Sequence, residues 1–325
     1  MMKTNLPRPC GPLSRARRHS LPAIAAAGLL LVGLGTATSR ADILYVGNTG
    51  DSTIEKFTSG GTGSVFASGG LNGPLGLAFD SAGNLYAANF NNNTIEKFTP
   101  GGVASVFASS GLNLPRGLAF DSAGNLYAAN TGTNTIEKFT PGGAASVFAS
   151  IGLDRPIGVA FDSAGNLYVA NANANTIQKF TPGGVRSVFA STGLNGPWGL
   201  AFDSAGNLYA ANSDNATIEK FTPGGVASVF ASSGLNGPTG LAFDSAGNLY
   251  VANYFANTIE KFTPGGVGSV FASTGLNSPE FIAFTTDAGV PLPLANQVPE
   301  PATCAMLALG ALALLSRQRR RPSAR

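Results

Sequence analysis

The chain of 325 residues is 44% hydrophobic and only 11% charged, which suits one large all-β domain or two ordinary domains. Its formal charge of +3 arises at the ends: residues 42–297 hold nine Lys and Arg against sixteen Asp and Glu, a net of −7, and the other eleven basic residues lie before residue 42 or after residue 316. Nucleic-acid binding needs a basic patch on the folded body, so no nucleic-acid partner is expected. Cys10, Cys304 and the only histidine, His19, also lie in the ends, which excludes a disulfide, a thiol nucleophile and a Ser-His-Asp triad from the body.

Residues 1–41 read as a secretory signal. Arg15, Arg17 and Arg18 form a charged region, Leu21 to Ala37 is an apolar stretch, and Ser39-Arg40-Ala41 places small residues for cleavage after Ala41 by signal peptidase. The alternative is a membrane anchor that is kept.

From residue 42 to 297 a unit of 41 residues recurs, with phenylalanines at Phe79, Phe120, Phe161, Phe202, Phe243 and, in a degenerate sixth copy, Phe284. A period of this length marks a solenoid or a propeller. One copy reads as four short strands. Gly76 to Phe79 is strand a, and Asp80-Ser-Ala-Gly-Asn84 is a turn rich in residues that tolerate unusual backbone angles. Leu85 to Ala88 is strand b, Asn89 to Asn93 a polar loop, Thr94 to Thr99 strand c, Pro100-Gly-Gly102 a turn, and Ser105 to Ala108 strand d. Strand c carries Glu and Lys and is expected to be outer and half-solvated. Asp80 and its equivalents Asp121, Asp162, Asp203 and Asp244 read as turn formers.

The ends of the repeat array distinguish an open solenoid from a ring. The body begins with a strand b, Ile43 to Val46, and ends with a lone strand a, Phe281 to Phe284. Pairing the two supplies the strand missing from the first unit and removes an exposed edge. The fold class expected is therefore all-β: a closed six-bladed β-propeller of four-stranded antiparallel blades.

The C-terminal segment, residues 298–325, has three parts: Val298-Pro299-Glu300-Pro301, an apolar helix candidate from Ala302 to Leu315, and the cluster Arg317, Arg319, Arg320 and Arg321. It resembles the PEP-CTERM sorting signal of Gram-negative bacteria. The resemblance implies an exosortase-like processing enzyme as partner, a transient inner-membrane anchor, and export to the cell surface in association with extracellular polysaccharide. Fourteen helical residues reach roughly 21 Å, short of a hydrocarbon core of roughly 30 Å. The alternative is a plain tail anchor. In both cases the arginines stay cytoplasmic and the repeats lie outside.

The repeat itself resembles the NHL family, through Pro-x-Gly-Leu-Ala-Phe-Asp, Asn-Leu-Tyr-Val-Ala-Asn and Thr-Ile-x-Lys-Phe. More loosely it is similar to gluconolactonase and virginiamycin B lyase propellers. NHL propellers imply binding of protein or nucleic acid. The two enzyme classes imply metal-dependent chemistry at the channel mouth. For the lyase type the resemblance implies a histidine base, for which the body has no candidate. For the gluconolactonase type it implies a metal held by Glu, Asn and Asp; Glu280 and the Asn residues could supply part of this, but no matching Asp is evident at the mouth, although Asp214 is on the same rim.

The copies differ unevenly. The a–b turn is Asp-Ser-Ala-Gly-Asn in all five complete copies, whereas the opposite rim varies. There the residues after the strand-a proline are Leu75, Arg116, Ile157, Trp198, Thr239 and Glu280, expected around the channel mouth. With Tyr254 of a b–c loop they form the candidate ligand-binding set. Trp198 and Tyr254 would be apolar platforms, and Arg116 and Glu280 polar anchors. Drift in weakly constrained loops is the alternative. An invariant ring, Asn48, Asn89, Asn130, Asn171, Asn212 and Asn253, ends strand b on the same rim. Its amides suit a single divalent cation, sugar hydroxyls, or capping of the adjacent turns. The expectation is a non-enzymatic binding or scaffold module for a surface protein or polysaccharide, without a cofactor. The alternative is a metal-dependent lactonase or lyase-like hydrolase.

Overall fold

The computed structural model describes residues 42–286 and Leu292. The signal segment 1–41 and the sorting segment 298–325 lie outside the described residues. Among those described, no helix is long and apolar enough to cross a membrane.

The described chain forms six four-stranded antiparallel sheets. The second blade is typical, with strand a at Pro74–Phe79, b at Leu85–Asn89, c at Thr94–Phe98 and d at Ala104–Ala108. Four further blades repeat it, with strand a starting at Pro115, Pro156, Pro197 and Pro238. The first blade is composite. Its strand a, Pro279–Thr286, comes from the end of the array and pairs with strand b, Asp42–Asn48, in the register Leu44↔Phe284. The ring is closed as the orphan strands require, and the first blade has its full four strands.

The hydrophobic core lies between the blades. Tyr45 of the first blade meets Phe79 of the second edge-to-face at 5.1 Å and Phe66 of its own strand d at 5.0 Å. Phe66 in turn packs on Phe98 of the second blade. The same set recurs around the ring to Tyr250 and Phe284, so each of the six apolar clusters joins two neighbours. Edge-to-face pairs of this kind stabilise beyond the area they bury. The fully buried Phe57, Phe98, Phe139, Phe180, Phe221 and Phe262 on strand c supply much of that area.

Strand c departs from the sequence expectation. Its lysines are half-exposed, but Glu55, Glu96, Glu137, Glu219 and Glu260 are buried. Each lies against the left-handed glycine of a d-to-a link, as Glu96 does against Gly70. A propeller blade has a neighbour on both faces, so its third strand is not half in water. Burial raises the carboxyl pKa of all five. The fourth blade has Gln178 here instead, with Arg186 Nη1 donating to its Oε1 at 3.5 Å.

On the constant rim the Asp residues organise the turns. Asp80 Oδ1 accepts from the Ala82 and Asn84 amides, both at 2.9 Å, and Oδ2 accepts from Asn84 Nδ2 at 2.8 Å and the Tyr86 hydroxyl at 3.2 Å. Lys97 lies 3.8 Å from the same carboxylate. Asp121, Asp162 and Asp203 repeat the set. Gly83 holds φ at 81°, a conformation open to glycine at little cost. A carboxylate with this many donors is a turn former, in agreement with the sequence.

Candidate functional site

Strand a places the variable residues. A Cβ on Gly76, Gly117, Gly158, Gly199 or Gly240 would collide with the backbone carbonyl of the next blade's Arg116, Ile157, Trp198, Thr239 or Glu280. The inner strands thus touch backbone to backbone, and the residue beside each glycine is held at the axis. In the first blade the glycine is replaced by Phe281. Beyond this layer, toward the constant rim, lies a cavity of about 680 Å³ lined by Phe79, Phe120, Phe161, Phe202 and Phe243, with Leu292 also against it.

On the variable rim the six residues after the strand-a prolines divide by blade. Leu75, Ile157 and Thr239, from the second, fourth and sixth blades, are buried. The Thr239 hydroxyl is turned to the backbone, 3.0 Å from the Glu280 carbonyl and 3.1 Å from that of Ala252. Arg116, Trp198 and Glu280, from the third, fifth and first blades, reach across the axis and meet. Trp198 Nε1 donates to Glu280 Oε2 at 3.0 Å. The Arg116 guanidinium lies 4.9 Å from the Trp198 ring centroid and 4.7 Å from that of Phe90, a b–c loop residue of the second blade.

Two contributors were not singled out by sequence. Arg155, in the link before the fourth blade, lies 5.4 Å over Trp198. Its φ is 53°, at a position where Gly73, Gly196 and Gly237 stand in other blades. Phe90 is the other; as the only aromatic in its loop position besides Tyr254, it was legible as a departure. Tyr254 adjoins the cluster, acting on Arg116 electrostatically. It packs edge-to-face on Phe255, an exposed loop-tip aromatic.

Burial dominates the electrostatics. Glu280 is only 5% exposed, and loss of hydration pushes its carboxyl up to about 7, against the opposing pull of Arg116, the Trp198 N–H and Arg155. The same loss of hydration lowers the pKa of Arg116.

The Asn ring is committed elsewhere. Asn89 Nδ2 donates to the Gly70 carbonyl at 2.8 Å and to Thr94 Oγ1 at 3.0 Å, while Oδ1 accepts from the Asn72 amide at 3.0 Å. All six asparagines make the equivalent bonds and are buried, each tying its b–c hairpin to the link that enters its blade. A second staple joins blade to blade: Asn93 Oδ1 accepts from the Leu114 amide at 2.6 Å, and Ser52, Asn134, Asn175 and Asn257 do likewise. Only Ala216 lacks the acceptor.

This donor set does not fit a divalent cation. The Asn oxygens already accept from amides, and Glu280 is flanked by two guanidiniums that repel a cation. Asp214 sits in an exposed loop against Gly196. Among the described residues no three His, Cys, Asp or Glu side chains converge.

A ring of stapled blades with one variable, charged mouth defines a β-propeller of the repeat-built class. Residues 71–98, 153–180 and 194–221 match the NHL repeat, and residues 297–321 match the PEP-CTERM protein-sorting motif. The chain is a six-bladed propeller that carries NHL repeats and ends in a PEP-CTERM motif. That motif implies export and surface sorting in a Gram-negative bacterium, with processing by an exosortase-type system. No curated protein matches the sequence. Among solved structures, the nidogen/laminin complex contains a similar chain at 22% identity, covering 75% of this chain and 98% of that one, with a TM-score of 0.68. Virginiamycin B lyase from Staphylococcus aureus, catalytically inactive and with quinupristin, is similar at 16% identity, covering 78% and 94%, with a TM-score of 0.60. A streptogramin B lyase is similar at 18% identity, covering 75% and 80%, with a TM-score of 0.56. At such identities the likeness shows the fold alone.

Proposed function

We propose that the propeller is an exported binding module, without catalytic activity, whose variable rim takes a surface protein or polysaccharide. The observation that carries this reading is the clustering of Arg116, Arg155, Trp198 and Glu280, drawn from four blades, on the one rim where the copies differ. Ring closure brings these positions together whatever occupies them; what supports the reading is that an indole N–H, a carboxylate and two guanidiniums stand there in mutual contact. The opposite rim repeats one Asp-centred network and offers no such asymmetry.

A glycan array probed with the full chain, alongside a triple variant Arg116→Ala, Trp198→Ala, Glu280→Ala, tests the proposal. A ligand retained by the wild type and lost by the variant is expected. A ligand held equally by both places recognition elsewhere. Chelator-sensitive hydrolysis of lactones by the purified protein would overturn the non-enzymatic reading in favour of a metal-dependent hydrolase.

A further inference from the structure

The rim cluster contains a cation whose donors are not used. Arg116 Nε is buried and has no hydrogen-bond partner among the described residues. The carboxylate nearest in influence, Glu280, acts on Arg116 through space while its Oε2 accepts from Trp198 Nε1. The guanidinium meanwhile lies 4.7 Å from the Phe90 ring centroid and 4.9 Å from that of Trp198. A second guanidinium, Arg155, lies over the same indole. Buried donors are nearly always paired, so an unpaired one calls for a partner. Two guanidiniums against one carboxylate leave the cluster cationic.

We propose that this cluster is a carboxylate-binding site, with Arg116 and Arg155 holding the anion beside Trp198. The proposal rests on the reading of the variable rim as the recognition face. Guanidinium forks match the planar, two-oxygen geometry of a carboxylate. Burial beside two aromatic rings already restricts the Arg116 side chain, so less freedom is lost on binding. A singly charged carboxylate suits the cluster better than a doubly charged phosphate, because Glu280 shares the site and repels anions.

Glu280 also gives the site a pH dependence. The groups that face it are Arg116 on strand a of the third blade, Arg155 in the link to the fourth, and Trp198 on strand a of the fifth; Tyr254 on the sixth faces Arg116. The Glu280 carboxyl titrates at about 7, so below neutrality it loses its charge while a ligand carboxylate keeps its own. Binding tightens as pH falls from roughly 8 to roughly 6.

Trp198 is the only tryptophan in the chain, so its emission reports on this site alone. The full chain is titrated with glucuronate, N-acetylglutamate α-amide and glucose, at pH above and below neutrality. A saturable change with an acid, none with glucose, and tighter binding at the lower pH are expected. Arg116→Gln and, separately, Arg155→Gln each weaken binding about tenfold or more, the loss of a charged hydrogen bond. A response to glucuronate alone identifies a sugar acid, and a response to the glutamate amide alone an acidic side chain. No response to either acid at millimolar concentration overturns the proposal. So does undiminished binding by both Arg variants. Glucose binding as tightly as glucuronate, and lost with Trp198→Phe by calorimetry, overturns the carboxylate while leaving the rim as the recognition face. A ligand retained by the triple rim variant instead removes the rim reading itself.

Discussion

Replacing Glu280 by Gln isolates one buried carboxyl and predicts how stability changes with pH. In the folded ring Glu280 titrates at about 7, against an ordinary value of 4.5. The folded state therefore holds this proton more tightly than the unfolded chain does. Stability linked to Glu280 is fully present below pH 4.5, falls as pH rises between 4.5 and about 7, and is flat above. Every tenfold gain in proton affinity on folding corresponds to about 1.4 kcal/mol, so the fall amounts to about 3 kcal/mol. Gln is neutral at every pH and can still accept from Trp198 Nε1, the bond seen at 3.0 Å. Urea unfolding of wild type and Glu280→Gln at several pH values from roughly 4 to roughly 9, a range that brackets the transition, measures the difference. The variant is expected to match wild type at the acid end and to exceed it above neutrality by about 3 kcal/mol. Subtracting the two curves cancels the strand-c glutamates, which titrate above their ordinary range for the same reason. Parallel curves across the whole range would refute the assignment of a buried, destabilised carboxylate to this position.

Three further outcomes follow from the repeated networks. Asn89→Ala removes an acceptor for the Asn72 amide and donors to Gly70 and Thr94, and should lower unfolding free energy by about 2–4 kcal/mol in urea melts. Ala216→Asn restores the blade-to-blade staple at a residue whose φ is 53°, a conformation Asn tolerates, and should raise stability by about 1 kcal/mol; an unchanged or lowered melting midpoint would count against the staple. Glu96→Gln should stabilise the protein at neutral pH and lose its advantage in acid, because burial raises the Glu96 carboxyl and its ionised form is disfavoured when folded. Gln178 already occupies the equivalent place in the fourth blade, so a folding defect in that variant would contradict the equivalence.

Much of the architecture was legible because it repeats. Six copies average out local ambiguity, and a strand-b start at Ile43 with a strand-a end at Phe284 leaves two orphan strands that complete one blade when paired, as they are at Leu44↔Phe284. The turn role of Asp80 was equally readable from Asp-Ser-Ala-Gly-Asn. Burial of Glu96 was not, since a Glu-Lys pair on a third strand looks solvated until a neighbouring blade covers its other face. The Asn ring was legible as invariant, but its link partners lie 17 to 19 residues back for Asn89 and at the far end of the array for Asn48, so its use as a staple emerges only in the folded ring.

The number of blades, the order of strands in each, the closing strand and the rim on which the copies differ can all be read from chain order. They depend on period and local chemistry, which the linear chain carries directly. The meeting of Arg116, Trp198 and Glu280 cannot be read that way. These residues stand 82 positions apart at each step and belong to alternate blades. It is ring closure, with the inner strands packed backbone to backbone at Gly117, Gly158 and Gly199, that brings their side chains across one narrow axis.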